Sequence, residues 1–246
     1  MKRKCLIGLL GLTASLGIVG SGFSAWYFDK TNLSVDGASV TTYVTNLADD
    51  IGSLTSADTS KKLALVLDQG GYDKASDSTK GISIVDNTNV TGTVSDSNLG
   101  TAFNNFSATY AITKTAFTNL NNAGVHSGTF TAEFALSSTI ATYVQFDTNY
   151  AVANIKVNDT AATTGLTVDS TNNKLTFTYK VDWTNATADI NDAFTFDAST
   201  SDEKVNKLLT YKSKPATADD YTKMKNALSS TTDAALTVKY SFSINK

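Results

Sequence analysis

Large apolar residues alternate with polar ones along several stretches of this chain. Leu175, Phe177, Tyr179, Val181 and Trp183 are separated by Thr176, Thr178, Lys180 and Asp182, a period of two that places every large apolar group on one face of a strand. Leu236, Val238, Tyr240, Phe242 and Ile244 repeat the pattern against Thr237, Lys239, Ser241 and Ser243, so the chain is expected to end inside a sheet. Phe130, Ala132, Phe134 and Leu136 predict a third strand, and Ile140, Thr142, Val144 and Phe146 a fourth. Weaker strand patterns lie at 63–68, 81–86, 90–95, 107–113, 154–158, 166–169 and 193–197. The turn residues Asp169, Ser170, Thr171, Asn172 and Asn173 predict a hairpin between the strand at 166–169 and the one beginning at Leu175.

Three segments carry a helical period instead. Val40, Tyr43, Val44, Leu47, Ile51 and Leu54 form one stripe of a 3.6-residue helix. A second helix is expected over 202–211, burying Val205, Leu208 and Leu209. A third follows Pro215, with Thr217 as cap, Asp219 and Asp220 in the first turn, and Tyr221, Met224 and Leu228 on one face. One-sided alternation at this density predicts a mainly β fold, an antiparallel β-sandwich of jelly-roll-like form with two or three helical insertions. No fixed repeat and no Gly/Pro-rich linker divides the chain, so residues 26–246 are read as one β-sandwich domain.

The first residues follow a different logic. Lys2, Arg3 and Lys4 precede an apolar stretch from Leu6 to Val19, and Gly20, Ser21, Gly22, Phe23, Ser24 and Ala25 form a small-residue junction, broken by Phe23. This reads as a signal peptide over 1–25, cleaved between Ala25 and Trp26 by a signal peptidase. Because the apolar run continues through Trp26, Tyr27 and Phe28, residues 5–28 also have the length of a bilayer span, about 20 residues; an uncleaved anchor ending at 28 is the alternative. Cys5 lies directly behind Arg3 and Lys4, ahead of the apolar core, which does not suit lipid attachment. Cleavage would leave an N-terminal arm over 26–35 whose apolar positions are Trp26, Tyr27, Phe28, Leu33 and Val35.

At the junction the run Ser24, Ala25, Trp26, Tyr27, Phe28, Asp29 resembles exported TasA/camelysin-type proteins of Gram-positive bacteria. The resemblance covers about 30 residues plus general composition. It implies processing by a dedicated signal peptidase, a β-sandwich build, and, for some members, polymerisation into biofilm fibres.

Composition narrows the function classes. Removing 1–25 takes away Lys2, Arg3 and Lys4 and no acid, moving the formal charge from −3 to about −6 over roughly 220 residues. No segment concentrates Lys and Arg, so the footprint of a nucleic-acid or anionic-lipid binder is missing; membrane contact is expected only through the N-terminal segment. Cys5 is the sole cysteine and would leave with the signal, so the mature domain is stabilised by core burial rather than disulfides.

Catalytic patterns are equally sparse. His126 is the only histidine, in a turn before a strand, and the sequence holds neither an H-E-x-x-H helix nor a C-x-x-C pair, nor a G-x-S-x-G elbow to present a nucleophile. Gly70 and Gly71 lack the spacing and lysine of a phosphate cradle. Oxygen-rich loops occur at Asp73, Asp77 and Ser78, at Asp86, Asn87 and Asn89, and at Asp197, Ser199, Asp202 and Glu203, none with the ordered spacing of a dedicated calcium loop. Trp183 is placed in the core or at its rim rather than on a sugar-stacking surface. A Lys-Asn isopeptide crosslink, which would need an acid beside the pair, cannot be placed from sequence.

The sequence therefore points to a secreted or cell-surface structural protein of the extracellular matrix, without catalytic, cofactor or metal residues. Self-association or other surface proteins are its expected partners. Assembly would run through the arm 26–35, added as a strand to a neighbouring sandwich edge. The alternative is a monomeric adhesin or glycan-binding module.

Overall fold

The period-two runs form the centre of the larger of two facing sheets. In a computed structural model, described for residues 39–44, 52–67, 82–91, 100–103, 105–162, 164–198, 207–212, 219, 223, 224, 226 and 234–245, an eight-stranded sheet has β7 (Ser127–Leu136) at its heart. On one side of β7 lie β12 (Lys174–Asp182) and the edge strand β11 (Leu166–Asp169). On the other side follow β15 (Leu236–Asn245), β1 (Ser39–Val44), β3 (Leu63–Leu67), β4 (Ile82–Asp86) and β5 (Thr101–Ala102). A five-stranded sheet has the order β10 (Thr160–Ala161), β9 (Ile155–Val157), β13 (Ile190–Asp197), β6 (Asn105–Ile112) and β2 (Gly52–Thr55). A third, two-stranded ribbon pairs β14 (Leu209–Tyr211) with β8 (Val144–Phe146).

The fold is mainly β and almost wholly antiparallel, in a sandwich arrangement. Rings from the two large sheets interlock across the gap. Phe106 meets Phe134 edge-on at 5.4 Å, Tyr110 stacks on Phe130 at 5.2 Å, and Phe177 stacks on Phe194 at 5.5 Å. These rings are fully buried, each worth about 1.5–3 kcal/mol of transfer free energy, which makes them the main cohesive element of a domain without disulfides. The hairpin at Asp169–Asn173 forms as expected, pairing Leu166 with Phe177 and Asp169 with Lys174.

Several expectations are corrected. The stripe from Val40 to Leu54 is not a helix: Ser39–Val44 is β1 and Gly52–Thr55 is β2, while Leu47 and Ile51 lie outside the described residues. Val40, Thr41, Thr42, Tyr43 and Val44 are all β-branched or aromatic, and they pair in parallel with Leu236 to Tyr240. Side chains that are stiff in a helix prefer this ladder, and tertiary pairing overrides a fortuitous spacing. Of the helix expected over 202–211, the described part is not helical: Leu209–Tyr211 is β14, Leu208 and Leu209 are buried, and 202–206, with Val205, lie outside the described residues. The strand expected from Ile140 is a 3-10 turn, Ile140–Thr142, that leads into the short β8. Of the helix after Pro215, Asp219, Lys223, Met224 and Asn226 are described and helical, with Met224 buried. Most of 90–95 lies outside the described residues, and Val90 and Thr91 carry no regular structure.

Two helices escaped the pattern. α1 (Lys114–Asn122) is capped by Thr113, whose side chain accepts from Ala116 N, and it buries Ala116 and Phe117. It ends before Gly124, which takes φ 79° to reverse the chain. α2 (Thr148–Asn154) is capped by Asp147, whose Oδ1 accepts from Tyr150 N at 3.0 Å. No helix among the described residues is long and apolar enough to cross a membrane.

Candidate functional site

The residues expected to matter for export and assembly, Ala25, Trp26, Tyr27, Phe28, Leu33 and Val35, lie outside the described residues. The described part supplies the other half of the assembly question: which strand edges are closed and which are open.

Two positions of the five-stranded sheet are closed by side chains. β6 runs past the end of β2, whose pairing stops at Thr55 opposite Thr109. At Ser107 the chain meets the 3-10 turn Ala57–Ser60: Ser56 Oγ donates to Ser107 O at 2.6 Å, and Ser107 N donates to Asp58 Oδ2 at 2.8 Å. Two side chains thus supply the acceptor and donor that a strand would have offered. Asp58 is buried, and its Oδ2 also accepts from Tyr240 OH at 3.1 Å, which ties the turn to β15 of the opposite sheet. Burial pushes the Asp58 carboxyl above its usual range, against the pull of Ser107, Tyr240 and Ser56. Burial and the adjacent carboxylate likewise push the Tyr240 phenol well up, so it stays a donor.

On the other flank β13 outruns β9, which pairs only with Phe194 to Phe196. Ala193 N donates to Asn158 Oδ1 at 2.8 Å while Asn158 N donates to Ala193 O at 2.9 Å. Asn158 and Asp159 adopt φ 49° and 60°, which turns the chain into the two-residue β10. Asp192 accepts from Asn158 Nδ2 and, at 2.6 Å, from Tyr110 OH.

The β11–β12 edge is different. β11 begins only after Gly165, where φ is 92° and a Cβ would sit 2.1 Å from Thr178 O. Thr178 N donates to Gly165 O at 2.9 Å, so by antiparallel alternation Thr178, Lys180 and Asp182 turn their main-chain groups toward this side. Beyond Thr178 no strand pairs with β12 on that side among the described residues. Lys180 and Asp182 form an exposed ion pair there at 3.5 Å. Val168 and Tyr179, the exposed large hydrophobic residues among those described, both belong to this hairpin, at 44% and 36% exposure. Tyr179 departs from the expected alternation, which would have buried it.

A cleft of about 250 Å³ opens under the tip of the same hairpin, against the β8–β14 ribbon. Leu136, Phe146 and Val168 give it an apolar lining. Asp169 lies at its rim, and its carboxylate is held below the usual range, chiefly by the Asn172 side chain, with the Asn172 and Thr171 amides assisting.

Several of the described polar and aromatic residues singled out by the sequence make structural contacts. Trp183 is fully buried, and its Nε1 donates to Val125 O at 2.9 Å. Asn121 Nδ2 donates to Trp183 O, which leaves Asn121 Oδ1 to accept from His126 Nδ1 at 2.8 Å. The exposed His126 therefore pins α1 to the start of β7. Among the oxygen-rich loops, Asp86 pairs with Lys61 at 2.9 Å and accepts from the Thr88 hydroxyl, while Asn87 Oδ1 accepts from Gly100 N at 2.9 Å. Asp73, Asp77, Ser78, Ser199, Asp202 and Glu203 lie outside the described residues, and among the described residues no three His, Cys, Asp or Glu side chains gather as a metal site. Lys174 pairs with Glu133 at 3.1 Å. No protein-family model, no curated protein and no solved structure matches this chain.

Proposed function

We propose that this chain is an exported, non-enzymatic structural protein of the cell surface or extracellular matrix that assembles by strand addition. The observation that carries the reading is the β12 overhang: Lys180 and Asp182 offer main-chain groups with no strand partner among the described residues, beside the exposed Tyr179. The donor is the arm 26–35 of another copy, freed when the signal is removed after Ala25. Four strand spacings separate β1 from β11, about 19 Å. Val35, only four residues before Ser39, reaches at most about 14 Å and cannot lie on its own β11 edge. That limit binds only the C-terminal end of the arm, since Trp26, thirteen residues before Ser39, reaches about 45 Å; donation to another copy rather than to the arm's own sheet is part of the proposal.

The test compares residues 26–246 with residues 36–246 by negative-stain microscopy and light scattering. The longer chain is expected to form fibres and the trimmed one to stay a folded monomer. Equal fibre formation by both removes the arm from the mechanism, and mature protein retained in the cytosol removes the export reading.

A further inference from the structure

The cleft beneath the β11–β12 hairpin has a chemistry that assembly does not use. Its charged members are already committed: Asp169 accepts from Thr171 N, Asn172 N and Asn172 Nδ2 within its own turn, and Lys212 Nζ donates to Ala141 O. Opposite charges at separate places, each with a partner, select neither an anion nor a cation.

Neutral groups carry the unused hydrogen-bonding capacity. The side chains of Gln145, Thr148, Ser170 and Asn173 line the cleft and have no hydrogen-bond partner among the described residues. They come from three separate segments: β8, the first turn of α2, and the hairpin tip. The tip is fixed in place, because Asn173 sits at φ 53° and its carbonyl accepts from Leu136 N at 3.0 Å. Neutral donors and acceptors around the apolar patch of Leu136, Phe146 and Val168 match a ring with hydroxyls at its rim and C–H groups on its face. The volume, about 250 Å³, lies below the range of drug-sized sites, roughly 300–1,000 Å³, and holds one such ring.

We infer that this cleft binds a single uncharged sugar residue, free or as the end of a glycan chain. The inference does not depend on assembly and is tested on the monomeric fraction of the mature protein. Saturation-transfer NMR with glucose and with N-acetylglucosamine is expected to show saturable binding with Kd of roughly 1–10 mM, as suits a small site of few contacts. Gln145→Ala combined with Thr148→Val is expected to weaken it about tenfold, the loss of one to two hydrogen bonds. Thr178→Val, on β12 away from the cleft, leaves it unchanged. Thermal melts of the variants check that the fold is retained. Failure of either sugar to show transfer, transfer unaltered in the double variant, or displacement of the sugar by acetate or inorganic phosphate would overturn the assignment. Neither sugar result bears on fibre formation, so this site and the assembly edge fail separately.

Discussion

At Ser107 the main chain of β6 outruns its neighbour and meets the side chains of Ser56 and Asp58; at Lys180 the main chain of β12 outruns β11 and meets no strand among the described residues. Both are overhangs of one strand past another, yet one is filled by a built plug and the other is left with an ion pair and a half-exposed tyrosine. Asn158 plugs β13 in the same manner as Asp58 plugs β6. The contrast teaches that side chains stand in for a missing strand at two overhangs of the smaller sheet, while at the β12 overhang none does among the described residues.

The plug at Ser107 is the most expensive to remove. Asp58→Ala leaves Ser107 N–H and the Tyr240 hydroxyl without an acceptor inside the sandwich, and urea denaturation is expected to show a loss of about 3 kcal/mol. A loss under about 0.5 kcal/mol would mean that the plug is not holding the two sheets together. Asn158→Ala is expected to cost about 2 kcal/mol, and Asn158→Gly about 1, because glycine accepts φ 49° without strain while losing the same side-chain bonds. Equal losses for the two would locate the effect wholly in the hydrogen bonds.

On the open edge the prediction reverses. Lys180 N–H faces away from β7, so Lys180→Pro removes no existing ladder bond, and it is expected to cost the monomer less than about 1 kcal/mol while abolishing fibres. Severe destabilisation of the monomer would show that this edge is covered after all.

A smaller effect concerns pH. The folded Asp58 carboxyl titrates above its ordinary value of 3.8, so the fold binds a proton that the unfolded chain has already released. Its contribution to stability is fully present below pH 3.8 and is lost as pH rises through the folded value. Asp58→Asn is expected to remove this slope just above pH 3.8 while leaving the acid side of the profile, where other carboxylates are protonated, unchanged. Parallel profiles for the two proteins would contradict the assignment.

Much of this architecture is written in local pattern. β7, β12 and β15 are legible because each buries most of one face against the opposite sheet, so that apolar residues alternate with mainly polar ones, Tyr179 being the exception. β1 and β2 are not, since residues spaced for a helix stripe can equally belong to two short strands, and only the pairing with Leu236 to Tyr240 decides. α1 carries ordinary marks, a Thr113 cap, apolar residues at Ala116, Phe117 and Leu120, and Gly124 as a stop, but these are overshadowed by the strand patterns on either side. The candidate sites are less legible still. Asp58 meets Ser107 across 49 residues of sequence, and the cleft gathers Gln145, Ser170 and Lys212 from distant segments. A side chain that imitates a strand leaves no periodic trace.

The most direct test of the open-edge account is amide hydrogen exchange on the mature protein as monomer and as fibre. Assembly is expected to raise protection at Lys180 and Asp182, and to leave Ser107 and Ala193, already bonded to side chains, unchanged. Protection gained at Ser107 or Ala193 but not at Lys180, or no assembly by the mature protein at any concentration, would contradict it.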